Sequence, residues 1–152
     1  MNEKGFTLIE LLLVAGLMAA LAGFSAPLFR GSFHHMAHTT AVNTLQDAFA
    51  GARGRAIFER RSVRVGWNDA GNSLAMSAES SPGVFEPLRD KAGRPRRFSA
   101  GAVLQSETDG VTFFPDGTAT PADVRVLSPD GESSRLRVEP VLGRATVHED
   151  PA

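Results

Sequence analysis

Apolar side chains run from Phe6 to Phe29 with one ionisable interruption, Glu10, and then thin to every third or fourth position through about Arg61. At about 1.5 Å per helical residue, a stretch of this length covers a hydrocarbon core about 30 Å thick. Residues 6–29 are therefore predicted to form a transmembrane helix segment. Across 30–61, Leu45, Ala48, Phe49, Ala52 and Ala56 recur at helical spacing while Gln46, Asp47, Arg53 and Arg60 turn away. This predicts an amphipathic half whose apolar face needs a sheet to cover it. Pro27 removes one backbone donor and crowds the preceding turn, so a kink is expected there rather than an end.

From Ser62 the period becomes two. Val63, Val65 and Trp67 alternate with Ser62, Arg64 and Gly66, and after the turn residues 68–72 the stretch from Ser73 to Ala78 can return as the second arm of a hairpin. The segment from Glu79 to Ala100, with three prolines, is expected to be a long loop with one short strand near Val84. Further short strands are predicted at Ala102–Ser106, Val111–Phe114, Val124–Leu127, Arg135–Glu139 and Ala145–Val147. Asp109-Gly110, Asp116-Gly117 and Asp130-Gly131 punctuate them as turns. They lack the spaced acidic ligands of a calcium loop. The predicted class is α+β: a long N-terminal helix packed on a small antiparallel β domain at 62–152, arranged as two sheets or a sandwich.

Composition narrows the picture. About 120 residues follow the apolar segment, room for one small soluble domain. The formal net charge is -1, but residues 31–104 hold ten Arg/Lys against six Asp/Glu and residues 105–152 hold four against nine. Cysteine is absent, which excludes disulfides, thiolate-ligated zinc and thiol nucleophiles. No phosphate-binding loop, dinucleotide fingerprint or Gly-x-Ser-x-Gly is present. His34, His35 and His38 cluster just beyond the apolar segment, and with no carboxylate within a turn they are expected to be solvated or interfacial, with no metal and no cofactor.

Glu10 is the anomaly, because a carboxylate near the middle of a spanning helix costs about 3 kcal/mol on insertion scales, and a place closer to the helix start lowers that cost without removing it. Position alone allows a tolerated interfacial acid. Gly5-Phe6-Thr7-Leu8-Ile9-Glu10, after a short polar leader with Lys4 and before Leu11-Leu12-Leu13-Val14, resembles the processing site of type IV pilins and pseudopilins. The resemblance implies a leader at 1–5, cleavage after Gly5 by a membrane-embedded prepilin peptidase, and N-methylation of Phe6. It also implies that Glu10 of one subunit meets the amino terminus of a neighbour during assembly. A buried ion pair of that kind adds little net stability but fixes register, because misplacement leaves a charge unpaired. A secretory signal peptide fits worse, since Leu21-Ala22-Gly23 is a poor cleavage site; an ordinary signal anchor is the other alternative. The proline common in the family's helix is matched by Pro27.

The resemblance extends to the minor pseudopilin H and FimT branch through Leu45 to Arg53, Arg60 to Val65, Val111 to Ala119, Leu136-Arg137-Val138 and Gly143-Arg144. It implies a minor pseudopilin of the type II secretion system at the tip of a periplasmic pseudopilus, a structural subunit and not an enzyme. The implied setting is the bacterial inner membrane, crossed once, with the soluble domain in the periplasm. Its implied partners are the prepilin peptidase, other major and minor pseudopilins, the inner-membrane assembly platform and a secreted substrate. The alternative is a FimT-like minor pilin of a type IV pilus, with or without DNA binding. Phosphate contact would fall to Arg94, Arg96, Arg97 and Arg144, but the second arginine of the branch's Gly-Arg-x-Arg tail is missing and His148-Glu149-Asp150 would repel phosphate. Nucleic acid is therefore not the expected partner. A membrane-tethered enzyme is the third reading, and no convergent constellation supports it.

Overall fold

The computed structural model describes residues 7–98 and 101–149, with the side chains at 22–35, 37 and 149 outside the description. It divides into two compact units, Met1–Phe33 and His34–Ala152. A single helix, α1, is assigned from Leu8 to Glu59, continuous through Pro27. It stops two residues short of the predicted end because Arg60 takes a left-handed backbone with φ of 52°, the conformation that commonly closes a helix.

In the second unit the chain leaves α1 into β1 (Val63–Trp67), β2 (Ser73–Ser81) and β3 (Val84–Pro87). After a 3-10 turn at Lys91–Gly93 come β4 (Arg96–Arg97), β5 (Val103–Ser106) and β6 (Gly110–Phe113). The chain ends in β7 (Ala122–Leu127), β8 (Ser133–Glu139) and β9 (Arg144–Glu149). The first sheet has the order β3-β2-β1-β6, with β4 also pairing β2, and the second has the order β5-β7-β8-β9. All pairings are antiparallel.

The short strand expected near Val84 is present as β3, but the loop expected around it from 79 to 98 holds more order than that. β2 runs to Ser81, turns at Gly83 with φ of 77°, and β3 then β4 cover its outer edge. Asp109-Gly110 also departs from expectation, since Gly110 opens β6 opposite Gly66 instead of closing a hairpin. β5 and β6, the strands on either side, belong to different sheets.

One apolar cluster joins the helix face to the inner faces of both sheets. Leu45, Ala48, Phe49, Ala52 and Ala56 are all buried, as their spacing requires. They meet Val63 and Val65 of β1, Leu74 and Met76 of β2, Val111 and Phe113 of β6, and Val124, Val126, Leu136 and Val138 of the second sheet within that cluster. The alternation along β7 and β8, where every second residue is buried, gives each strand one wet face.

His38 corrects the expectation of a solvated or interfacial residue: it is buried. Its Nδ1 lies 2.8 Å from Ser128 Oγ and its Nε2 2.9 Å from Ser134 Oγ. Both hydroxyls are buried as well, so the imidazole satisfies polar groups in the β7–β8 turn region and at the start of β8. His38→Leu is expected to cost about 2 kcal/mol by leaving these hydroxyls short of partners. A denaturant midpoint unchanged from wild type would contradict this account.

Candidate assembly site

The first turn of α1 is closed by its own side chains. Thr7 precedes the helix, and its backbone N–H donates to Glu10 Oε2 at 3.0 Å while the backbone N–H of Glu10 donates to Thr7 Oγ1 at 3.3 Å. The Thr7 hydroxyl also donates to the same carboxylate oxygen at 3.0 Å. This is a reciprocal capping box, which satisfies two of the backbone donors left open at a helix start. A carboxylate in the first turn also faces the positive end of the helix dipole. The Thr-x-x-Glu spacing carries this signal, so Glu10 has a local role in the helix start that its isolation among apolar residues does not suggest. Gly5 and Phe6, the predicted processing residues, lie outside the described residues.

Beyond the box, Leu8, Ile9, Leu11, Leu12, Leu13, Val14, Leu17, Met18 and Leu21 are between 48% and 79% exposed. Apolar side chains on every side of a helix require an apolar surrounding. Among the described residues no helix is long and apolar enough to cross a membrane. The predicted span at 6–29 continues past Leu21 into positions whose side chains are outside the description, Pro27 among them.

The arginines singled out for phosphate contact do not converge. Arg94, Arg96 and Arg97 are exposed on the chain along the outer edge of the first sheet, where Arg96 and Arg97 pair with Leu74 and Ser73. Arg144 opens β9 in the second sheet, opposite Glu139. It lines a small hollow with Gln46, Ala50, Arg53 and Gly54 of α1, whereas Arg96 lines another with Arg55, Asp90 and Lys91.

Two arginines of α1 have roles that their helical positions did not reveal. Arg53, expected to turn away, is half-buried and donates from Nε to the carbonyl of Gly117 at 3.1 Å. Arg55 pairs with the Asp90 carboxylate, and Asp90 Oδ1 in turn accepts from the Ala92 N–H at 2.9 Å to cap the 3-10 turn. The Arg55 hydrogen bond foremost, and the Ala92 N–H next, hold the Asp90 carboxyl below its usual range. The clamp is therefore charged at neutral pH and is lost only as pH falls through that lowered value.

An open hollow of about 1030 Å³ lies on the outer face of the second sheet, lined by Asp123, Arg125, Arg135 and Arg137 among others. Asp123 sits 3.6 Å from Arg135 and 3.8 Å from Arg137. The groups there are charges in loose pairs.

A long helix with a capped start directly after Gly5-Phe6, an apolar first part and a second part packed on two small antiparallel sheets defines a pilin-like subunit. The chain belongs to the family described as type II transport protein GspH, which matches residues 41–141, and the prokaryotic N-terminal methylation motif matches residues 1–26. The minor pseudopilin EpsH from the type 2 secretion system of Vibrio cholerae has a similar structure, with a TM-score of 0.59 at 14% identity, over 72% of this chain and 94% of that one. The type IV minor pilin FimU of Pseudomonas aeruginosa strain PAO1 gives 0.57 at 16% identity over 72% of this chain and 91% of its own. A second crystal form of FimU gives 0.55 at 16% identity over 82% and 93%. At these identities the likeness establishes the fold. No curated protein matches the chain in sequence.

Proposed function

We propose that this chain is a minor pseudopilin of a type II secretion system, acting by assembly and not by catalysis. It enters the inner membrane as a single-pass precursor with 62–152 in the periplasm, and the prepilin peptidase trims it between Gly5 and Phe6. The new amino terminus is methylated, and the helix joins a short filament that supports protein export. The observation that carries this reading is the GspH family match across 41–141 on the same chain as a methylation motif at 1–26. The exposed apolar start of α1 supports it, since lipid before assembly and neighbouring helices afterwards would both cover that surface. Pro27 would relax the helix between the two halves.

In this reading Glu10 has two successive partners. Its capping bonds to Thr7 serve the helix start, and the amine exposed at Phe6 of a neighbour then offers it an opposite charge within the apolar layer. Glu10→Val removes an insertion penalty that is about 3 kcal/mol at the centre of a span and smaller in the first helical turn, so membrane insertion is expected to stay intact or improve. Incorporation into filaments, measured by cross-linking to other subunits, is expected to fall steeply, and export of a secreted protein into the medium with it. Normal export by the Glu10→Val chain as the sole copy would defeat the role assigned to Glu10.

The likeness to FimU favours a second reading, a minor pilin of a type IV pilus. Deleting the chain separates the two. Loss of export with intact pili supports the first, and loss of pili with intact export supports the second.

A further inference from the structure

Two arginines share a hollow of about 320 Å³ between α1 and the turn from β8 into β9. Arg53 enters from the helix and Arg144 from the first position of β9, with the Gln46 amide beside them and an apolar lining that includes Phe49. Arg53 uses only Nε, on the Gly117 carbonyl at 3.1 Å, and among the described residues neither guanidinium pairs with a carboxylate. Glu139, opposite Arg144 in register, lines instead the separate hollow on the outer face of the second sheet. The arrangement is prebuilt. A Cβ on Gly143, whose φ is 56°, would run into the Gly117 carbonyl oxygen and lie 3.1 Å from Arg53 Nε, so only glycine lets the turn settle this close to the helix.

The rim is apolar. Ile57, Val141 and Leu142 are 44%, 76% and 49% exposed. Val141 and Leu142 immediately precede Gly143 in the turn, and Ile57 Cδ1 lies 3.5 Å from where a Cβ on Gly117 would stand. Turns in water ordinarily carry Gly, Asn, Asp, Ser or Pro. Large apolar side chains gathered there, beside another on the helix, form the kind of patch that marks a protein contact. At its centre, two cations with no acid between them repel one another, and one carboxylate placed there relieves both. Asp116, next to Gly117, and Glu139, across from Arg144, flank the arginines. A string of phosphates would meet these acids as well as the cations, whereas a single carboxylate would not. Together the centre and the rim describe an acidic side chain standing among apolar ones on a protein surface.

We propose that this hollow receives an Asp or Glu side chain of another subunit, whose apolar neighbours cover Ile57, Val141 and Leu142. The carboxylate follows from the hollow itself; that its bearer is another subunit of the filament rests on the assembly reading given above. Arg53, held by Gly117, presents its terminal nitrogens as a fixed fork, and Arg144 adds the second charge.

The isotope-labelled full chain in detergent micelles is titrated with acetyl-Leu-Glu-Leu amide and with its glutamine counterpart. Magnetic-resonance shifts at Arg53 Nε–H and at the Gly117 and Gly143 amides are expected to show roughly ten-fold tighter binding of the glutamate peptide. Arg144→Gln is expected to abolish that preference and Arg144→Lys to keep part of it. The Arg144 side chain bonds nothing else among the described residues, so neither change is expected to disturb the fold. Equal affinity for the two peptides overturns the proposal, as does tighter binding of inorganic phosphate or duplex DNA at equal anion concentration. In the host, benzoylphenylalanine in place of Leu142 is expected to photocross-link within a few residues of an Asp or Glu on another filament subunit. No adduct, or an adduct to lipid, to a second copy of this chain or to a surface without an acid, overturns it. If deleting the chain leaves export and pili intact, the assembly reading fails and the glutamate preference still decides the hollow. If deletion stops export but the two peptides bind equally, only the hollow is refuted.

Discussion

Chains carrying Gly5→Leu are expected to accumulate as untrimmed precursor, with an amino terminus that still bears the five-residue leader. Thr7 is the cap and Leu8 the first helical residue, so the bond between Gly5 and Phe6 belongs to the chain just before the helix. A peptidase needs that bond extended and close to its catalytic groups, and glycine, without a Cβ, permits the closest backbone approach. Leucine adds a branched side chain at the scissile position. A displacement of about 1 Å costs about a hundred-fold in rate, enough to leave trimming undetectable within a growth cycle. Gly5→Ala adds one methyl and is expected to leave slow residual cleavage. Intact-mass measurement of membrane-extracted protein reads both outcomes: the wild type is expected to start at Phe6 and to carry one added methyl group. Normal trimming of Gly5→Leu would remove the basis for reading 1–5 as a leader.

Sequence period made the scaffold legible, and its limits are physical. The buried stripe from Leu45 to Ala56 and the alternation in β1, β7 and β8 are local patterns set by side-chain geometry, and the strands emerge within a residue or two of their predicted places. Apart from the strand at Val84, the region from 79 to 98 was not legible, because its order comes from pairing to the outer edge of β2 and from an arginine 35 positions earlier that holds Asp90. His38 failed for the same reason. Its partners stand 90 and 96 positions away, and a polar residue beside an apolar segment gives no local sign of burial. The candidate assembly residue was legible in a different way. Glu10 was conspicuous as an isolated acid, yet its capping bonds to Thr7 are a local motif that the functional reading overshadowed.

The largest stability loss is expected from Phe113→Ala. Phe113 is fully buried in β6, its ring centroid 5.8 Å from that of Phe49 with the planes tilted by 49°, an arrangement that gains beyond simple burial. Phe49 comes from α1 and Phe113 from the first sheet, so this contact ties helix to sheet, and the small residues Ala48 and Ala52 beside Phe49 offer little side chain to fill a void. Truncation is expected to cost about 3–5 kcal/mol, a large share of the roughly 5–15 kcal/mol that holds a domain together. In thermal unfolding of the full chain in detergent this appears as a fall of roughly 10–20 °C. Phe49→Ala combined with Phe113→Ala should cost less than the sum of the single changes, by about 0.5–1.5 kcal/mol. Phe58 lies on the same helix but is 89% exposed, and Phe58→Ala is expected to stay within about 0.5 kcal/mol of wild type. Burial, not aromatic character, separates these phenylalanines: equal losses from Phe58→Ala and Phe113→Ala would mean that the apolar cluster joining α1 to the sheets does not hold the domain together.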